Sequence, residues 1–173
     1  MFKVFKGHAL KTSNRIAMAP MTRSRTSQPG DVPNEMMAIY YRQRASAGVI
    51  VTEGAPVSAV GRGYSMTPGI YTQEHIEGWK KVTQAVHEEG GKIFIQLWHV
   101  GRRSHSAISG EQPLAPSAIK VPDQVFGPLP EGGFGVIETE TPREMTLQDI
   151  ESTIADFVQA AKNSVEAGFD GVE

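Results

Sequence analysis

Short, continuous apolar runs alternate along this chain with longer amphipathic segments, and few folds accept that alternation. Residues 16–21, 49–52, 92–97 and 169–173 are predicted to be strands, and the second of them is the β-branched run VIVT. In the first three, the apolar residues form largely continuous runs and do not alternate with polar ones. Such runs are typical of strands buried on both faces, as in parallel sheets covered by helices.

Three helices are predicted between these strands, over residues 33–47, 73–89 and 146–167, because apolar residues recur there at helical spacing. Thr146 is the predicted N-cap of the third helix, and Asp149 three residues later makes an approximate capping box. The predicted apolar face of that helix consists of Ile150, Ile154, Phe157, Val158, Ala161 and Val165. The order β-α-β-α-β-α-β indicates an α/β fold with a parallel sheet.

Two stretches rich in glycine and proline remain, residues 54–68 and 101–143, and both are predicted to be loops. The second is too long to serve only as a connector, so we expect it to carry function or local structure of its own. Four parallel strands also leave two open edges and an uncovered interior. Either the sheet is an unusual open one, or a partner half lies elsewhere.

The composition excludes several classes of protein. The 173 residues include no cysteine, which excludes disulfides, zinc–thiolate sites and a thiol nucleophile and fits a reducing compartment. A net charge of −2 gives no reason to expect binding to nucleic acid or to an anionic membrane. No apolar run approaches the roughly 20 residues of a membrane-spanning helix, and the N-terminus does not resemble a signal peptide. A cytoplasmic protein is expected.

Unusual residues stand at the ends of three predicted strands. Thr22 follows the first strand, Gly54 follows the second, and Gln96 and Trp98 close the third. Ligands of parallel α/β folds lie at the C-terminal ends of the strands. A hydroxyl, a glycine that permits close approach, an amide and an indole together suit a flat, amide-rich heterocycle.

Each of these residues also has a purely structural interpretation. Thr22 can cap the turn after the first strand, Gly54 can be an ordinary turn glycine, and Trp98 can fill the core. Gln96 is harder to explain in this way, because an amide within an apolar strand needs a hydrogen-bond partner.

Other binding and catalytic motifs are missing from the sequence. The five histidines show no metal-binding spacing, and His99 and His105 are interpreted as loop residues. Gly61-Arg62-Gly63 is not a dinucleotide-binding loop, and the chain has neither a phosphate-binding lysine motif nor a nucleophile elbow. The residues alone indicate a heterocycle site without naming a reaction.

Seven blocks of sequence, in register over nearly the whole chain, add a family resemblance. They are NRIAMAPMTRSR (14–25), TEGAPVS (52–58), PGIY (68–71), GWKKVT (78–83), QLWHVGR (96–102), LAPSAI (114–119) and AGFDGVE (167–173). Together they resemble the Old Yellow Enzyme family. The resemblance implies a (β/α)8 barrel, of which this chain covers about the first half. Such a barrel binds FMN non-covalently, takes hydride from NAD(P)H and passes it to an activated alkene, typically an enone.

The resemblance also assigns roles to individual residues. Five residues are expected to contact the flavin: Pro20, Met21, Thr22, Gly54 and Gln96. The Thr22 hydroxyl is expected at the flavin O4 edge, Gly54 beside the ring, and Gln96 at its pyrimidine end. Trp98 is expected to border the substrate pocket, and the long loop after it to cap the open end of the barrel.

In the family, the last block continues into I-H-x-A-x-G-Y-L, which supplies the groups that hold the substrate carbonyl and the tyrosine that donates the proton. No catalytic residue is therefore assigned in this chain. Residues 1–173 are expected to be the N-terminal half of an FMN-binding barrel, truncated at its fourth strand. Activity is expected only with a second chain that supplies the rest of the barrel. The alternative is an inactive half-barrel that self-associates or serves as a structural subunit.

Overall fold

The computed structural model describes residues 2–7 and 10–173, and its central element is a four-stranded parallel sheet. In chain order the elements are β1 (Phe5–Lys6), β2 (Lys11–Thr12), β3 (Ala17–Met18), α1 (Glu35–Arg42), β4 (Val49–Pro56), α2 (Gln73–Glu88), β5 (Ile93–Trp98), α3 (Ser106–Ser109), β6 (Leu114–Ala115), β7 (Gln124–Pro128), β8 (Phe134–Glu138), β9 (Arg143–Glu144), α4 (Leu147–Glu166) and β10 (Gly171–Val172). The central sheet has the order β10-β5-β4-β3, and each neighbouring pair is parallel. Because α1, α2 and α4 connect these four strands, the predicted β-α-β-α-β-α-β order is confirmed.

The two faces of the sheet differ, as strand β5 illustrates. Ile93 and Ile95 are buried in the core that the sheet forms with the helices. Phe94 and Gln96 point to the opposite face, because side chains alternate along a strand, and both are half-buried. The helix side of the core includes Met37, Tyr41, Trp79, Val82, Val86 and Ala160. Helices therefore cover one face of the sheet, and the other face, which we call the inner face, is open.

Strand β4 contains a bulge that reverses which residues face the helices. Val51 pairs with Phe94 and Gly54 pairs with Gln96, so three steps along β4 match two along β5. One extra residue in a strand shifts the alternation of side chains beyond it. Glu53 consequently points toward the helices, where it meets Tyr41, and Gly54 lies on the inner face.

Several predicted boundaries were wrong. Strand β4 continues to Pro56 and does not give way to a loop at residue 54, because the bulge keeps Glu53 and Gly54 within the strand. Strand β3 has only two residues, Ala17–Met18, where residues 16–21 had been predicted. Helix α1 begins later than residue 33 because the Asn34 side chain caps it, accepting a hydrogen bond from the Met37 N–H at 3.2 Å. It ends at Arg42, and beyond it the Arg44 and Ala45 N–H groups bond to carbonyls three residues back.

The long segment between β5 and α4 has local structure, as predicted. The short helix α3 follows β5, strands β7 and β8 form an antiparallel hairpin, and β6 pairs with β9 in parallel. Ser65 Oγ donates to the Phe126 carbonyl at 2.9 Å and so joins this hairpin to the segment after β4. The sequence did not predict the hairpin or the small antiparallel pair β1–β2.

Helix α4 begins as predicted but packs differently. Thr146 and Asp149 form the reciprocal capping box. The buried residues are near the C-terminal end of the helix: Ala160, Asn163 and Ser164. Four residues of the predicted apolar face are exposed, namely Ile150, Ile154, Val158 and Val165. The helix touches the rest of the fold mainly through its C-terminal half, so the apolar stripe did not identify the buried side.

Among residues 2–7 and 10–173, no helix is both long and apolar enough to cross a membrane.

Asp170 ties the last strand to its neighbours and makes the stability of the fold depend on pH. Its carboxylate accepts from the Ile93 N–H at 2.9 Å and from Lys92 Nζ at 2.7 Å, and His87 Nε2 lies 2.8 Å away. Burial alone raises the pKa of Asp170, but these hydrogen bonds outweigh it and hold the pKa below its ordinary value. Such a group stabilises the fold above its unfolded-state pKa, and the stabilisation is lost as the pH falls through the folded-state pKa.

We therefore expect Asp170→Asn to lower the free energy of unfolding by about 1–3 kcal/mol at neutral pH. The difference from the parent protein should begin to shrink as the pH falls below the ordinary aspartate pKa of about 4, and it should disappear once the pH has passed the lower folded-state pKa. Urea unfolding at several pH values measures both effects, with Glu151→Gln as the control at an exposed carboxylate. A difference that does not vary with pH would show that the charge of Asp170 is not its source.

Candidate functional site

The C-terminal ends of β3, β4 and β5 meet at one edge of the sheet, and the predicted site residues lie along that edge. Gly54 is paired with Gln96, and Pro56 is paired with Trp98 on the same two strands. Thr22 belongs to the segment that follows β3, and its neighbour Arg23 donates its N–H to the Glu53 carboxylate at 2.9 Å. The structure therefore brings together the three strand ends that the sequence singled out.

The Gln96 side chain is accessible on the inner face. Its backbone N–H donates to Thr52 Oγ1 at 3.2 Å, and its side-chain Nε2 donates to Glu173 Oε2 at 3.2 Å. The predicted need for a polar partner is thus met by Glu173 at an exposed position. An amide in this setting can exchange such a contact for the carbonyl and N–H groups of a ligand.

Trp98 lies over Gly54 and is not part of the core. A Cβ atom at Gly54 would stand 2.4 Å from Trp98 Cδ2, so the indole occupies the space that any other residue would need. Tyr64 stacks on the same indole, with ring centroids 5.3 Å apart. The interpretation of Trp98 as core filling was wrong, and the glycine has a sufficient structural reason in this packing.

Tyr64 was not predicted to belong to this site. It lies in the segment after β4, and Arg103 from the segment after β5 places its guanidinium over the Tyr64 ring, 5.5 Å from the centroid. Arg103 also bonds to the Tyr64 hydroxyl and to the Asp123 carboxylate just before the hairpin. In the sequence, Tyr64 simply follows the glycines of its loop, and this position does not predict stacking on Trp98.

The segment that carries Thr22 is held by a buried glutamate. Glu53 is 1% exposed. Its carboxylate accepts hydrogen bonds from the Arg23 and Ser24 N–H groups at 2.9 and 3.4 Å and from the Tyr41 hydroxyl at 3.3 Å. Burial raises the pKa of Glu53 above its ordinary value, although these hydrogen bonds act in the opposite direction.

Pro20, Met21 and Thr22 lie on the open side of that segment. Pro20 is half-buried, whereas Thr22 is exposed and Met21 is 47% exposed. Their backbone and the Thr22 hydroxyl are therefore accessible to a ligand at the strand ends.

The histidines near the site serve local structure. The N–H of Gly101 donates to His99 Nδ1 at 3.1 Å, and burial lowers the pKa of His99, so its ring is neutral at pH 7. His105 Nδ1 caps α3 by accepting from the Ala107 N–H. Both observations agree with their interpretation as loop residues, and the described ranges contain no group of side chains able to hold a metal ion.

The C-terminal ends of β3, β4 and β5 carry polar groups that can bind a flat heterocycle. The Gln96 amide on β5 and the Thr22 hydroxyl after β3 are accessible donors and acceptors on either side of β4. Trp98 Nε1 is buried, and no hydrogen-bond partner for it lies among residues 2–7 and 10–173. These residues fit an isoalloxazine-like ring.

Comparison with known proteins supplies the family. The sequence model of the NADH:flavin oxidoreductase / NADH oxidase family matches residues 1–173. Flavin oxidoreductase hxnT of Emericella nidulans is 41% identical over 178 residues, which cover 100% of this chain and 44% of that protein. The 12-oxophytodienoate reductase 1 of Oryza sativa subsp. japonica is 41% identical over 170 residues, covering 98% of this chain and 42% of that protein.

Solved structures of related enzymes have the same fold over nearly the whole length of this chain. Morphinone reductase superposes with a TM-score of 0.94 at 45% identity, covering 99% of this chain and 46% of that one. The old yellow enzyme homologue from Zymomonas mobilis gives 0.91 at 43% identity, covering 99% and 46%. The chain spans less than half the length of these relatives and forms about half of a (β/α)8 barrel. Since the family model matches it from end to end and its strands superpose on these enzymes, the chain belongs to the NADH:flavin oxidoreductase / NADH oxidase family, the Old Yellow Enzymes.

Proposed function

We propose that this chain forms the flavin-ring side of an FMN-dependent oxidoreductase that uses NAD(P)H to reduce activated alkenes. The observation that carries the proposal is the convergence of Thr22, Gly54 and Gln96 at one edge of the sheet in a member of this family. Morphinone reductase has been solved with tetrahydroNAD, which supports a nicotinamide as the reductant here. FMN supplies the redox chemistry when bound, accepting hydride and passing it on.

The residues of this chain bind and orient the ring. The Gln96 amide can pair with carbonyl and N–H groups at the pyrimidine end, and the Thr22 hydroxyl can donate to the O4 edge. A donor at that oxygen stabilises the negative charge that accumulates on the ring system during reduction. Pro20 and Met21 line the ring mainly through backbone, and Trp98 with Tyr64 forms an aromatic wall for the substrate.

The rest of the barrel is proposed to come from a further polypeptide segment. Phe94 and Gln96 on the inner face are only half-buried, and the apolar residues Ile154 and Val158 of α4 are exposed. A closed barrel would cover both surfaces. In this proposal residues 1–173 are the N-terminal half of an FMN-binding barrel, and reduction of the alkene needs the complementing half.

The same exposed surfaces support a second candidate, a non-enzymatic half-barrel that associates with copies of itself. Strands β3 and β10 are the two outermost strands of the sheet. Backbone groups that are left unpaired on outermost strands favour pairing between chains. The two candidates differ in whether a complementing segment yields enzyme activity. A complementing segment that starts at the family motif H-x-A-x-G-Y should restore NADPH oxidation with an enone under the first candidate and leave it absent under the second.

Titration with FMN tests the binding site directly. Gln96→Ala is expected to weaken FMN binding about tenfold, or about 1.4 kcal/mol, because it removes the amide that faces the pyrimidine ring. The quenching of flavin fluorescence on binding gives the dissociation constant. Gln84→Ala on α2 is the matched control, because it removes an exposed glutamine far from the strand ends.

Two outcomes would contradict the proposal. The first is a protein that stays colourless with FMN both alone and with the complementing segment. The second is an FMN affinity that Gln96→Ala and Gln84→Ala change equally.

A further inference from the structure

Glu53 is the most deeply buried carboxylate near the site, and flavin binding as proposed does not use it. It is 1% exposed and lies in the middle of the central strand β4. A buried carboxylate is costly unless hydrogen bonds compensate it. The residues that donate hydrogen bonds to the Glu53 carboxylate show which part of the chain it holds in place.

Two of those groups belong to the segment that follows β3. The Arg23 and Ser24 N–H groups both donate to Glu53 Oε2, at 2.9 and 3.4 Å. They are consecutive, so one carboxylate oxygen fixes the direction of the backbone at this point. Thr22 immediately precedes them in the chain.

The backbone at this point needs support. Ser24 has a φ of +52°, in the left-handed region that residues other than glycine rarely adopt. A strained residue persists only where its surroundings hold it, and the hydrogen bond from its own N–H to Glu53 is part of that support.

Tyr41 of α1 fixes the carboxylate in turn. The Tyr41 hydroxyl donates to Glu53 Oε1 at 3.3 Å and accepts from the Glu53 N–H at 2.9 Å, so it holds both ends of the same residue. Tyr41 is itself fully buried. The bulge in β4 allows this contact, because it turns Glu53 toward the helices while Gly54 stays on the inner face.

We propose that Glu53 and Tyr41 form a positioning unit that fixes the backbone of residues 22–24 and thereby sets where the Thr22 hydroxyl lies. The unit acts from the helix side of the sheet and does not reach the inner face itself. Its effect on a flavin rests on the proposed function, because Thr22 is the residue through which it would act.

Hydrogen exchange tests the unit without any cofactor. Glu53→Leu leaves the Arg23 and Ser24 N–H groups without their side-chain acceptor, so exchange at these two amides should accelerate about tenfold or more. Exchange at Ile95 in β5 should stay as in the parent protein. Tyr41→Phe keeps the ring and removes only the hydroxyl, and we expect a smaller acceleration at the same two amides.

Thr83→Val is the matched control for loss of a buried polar group. The Thr83 hydroxyl donates to the Ala167 carbonyl at 2.6 Å between α2 and α4, far from the segment after β3. It should lower the unfolding midpoint without changing exchange at Arg23 and Ser24. Unchanged exchange at these two amides in Glu53→Leu would overturn the proposal.

A double-mutant cycle with FMN tests the link to Thr22. If Glu53 acts through Thr22, then Glu53→Leu should weaken FMN binding and shift the flavin reduction potential in the parent but have little further effect in Thr22→Ala. Equal effects in both backgrounds would show that Glu53 does not act through Thr22. Failure of the parent protein to bind FMN both alone and with the complementing segment would reject the proposed function, while the exchange experiment would still decide whether Glu53 holds the segment.

Discussion

Replacing Trp79 with alanine is expected to destabilise the fold by about 3–5 kcal/mol, the largest loss of stability among the changes considered. Trp79 is fully buried on α2 and packs edge-on against Phe169, with ring centroids 5.2 Å apart. Its Nε1 donates to the Gly69 carbonyl at 2.9 Å. One side chain thus joins α2 to the segment before it and to the residues that lead into β10.

Two variants separate packing from hydrogen bonding at Trp79. Trp79→Phe keeps most of the buried area and loses the bond to Gly69, so it should cost about 1–3 kcal/mol. Lys81→Ala, at an exposed position two residues along the same helix, should change the free energy of unfolding by less than about 0.5 kcal/mol. Chemical denaturation measures all three. A loss for Trp79→Ala no larger than that for Trp79→Phe would show that the cavity at this position closes by rearrangement.

Local signals in the sequence were sufficient for the elements of the sheet and their order. The run VIVT of β4 and the cap formed by Thr146 are set by residues within a few positions of each other, and each formed as predicted. The location of the candidate site followed from the same information, because parallel strands joined by helices have their C-terminal ends at one edge. Thr22, Gly54 and Gln96 could therefore be placed together without knowledge of any contact.

What the sequence could not predict depends on contacts between distant residues. The bulge in β4 exists because of its pairing with β5, and the role of Glu53 follows from that bulge and from Tyr41, 12 positions earlier in the chain. Tyr64 meets Trp98 only after the segments that follow β4 and β5 have folded over each other. A glutamate within an apolar strand was the one available signal for Glu53, since such a residue must find partners.

The apolar stripe of α4 was misleading for a related reason. Periodicity predicts that one face of a helix is buried but does not identify what covers it. Ile154 and Val158 fit the stripe and are exposed, whereas Asn163 is buried, and its Nδ2 donates to the Ile70 carbonyl at 2.8 Å. The apolar stripe is exposed because α4 packs on the sheet through other residues. The exposed stripe supports the proposal that a further segment of the barrel covers it.

Replacing Gly54 with alanine is expected to have the largest effect on the candidate site. The added Cβ would lie 2.4–2.7 Å from three atoms of the Trp98 indole, which cannot move aside without losing its stacking on Tyr64. We expect a loss of about 1–3 kcal/mol in stability and a red shift in Trp98 fluorescence as the indole becomes exposed. FMN binding should weaken as well, because the indole would be pushed toward the space beside the ring. The chain has only two tryptophans, so Trp79→Phe in both backgrounds isolates the Trp98 signal.

The double variant Gly54→Ala/Trp98→Ala separates the two reasons for a glycine at this position. If Gly54 is needed only to accommodate the indole, the double variant should have the same stability and the same FMN affinity as Trp98→Ala alone. If the ligand ring itself approaches the Gly54 backbone, stability should recover while FMN affinity stays low. Gly135→Ala in β8 is the matched control, because its Cβ would meet the flexible end of Leu129 at 2.9 Å. A Trp98 signal that Gly54→Ala and Gly135→Ala leave equally unchanged would contradict the packing on which both explanations depend.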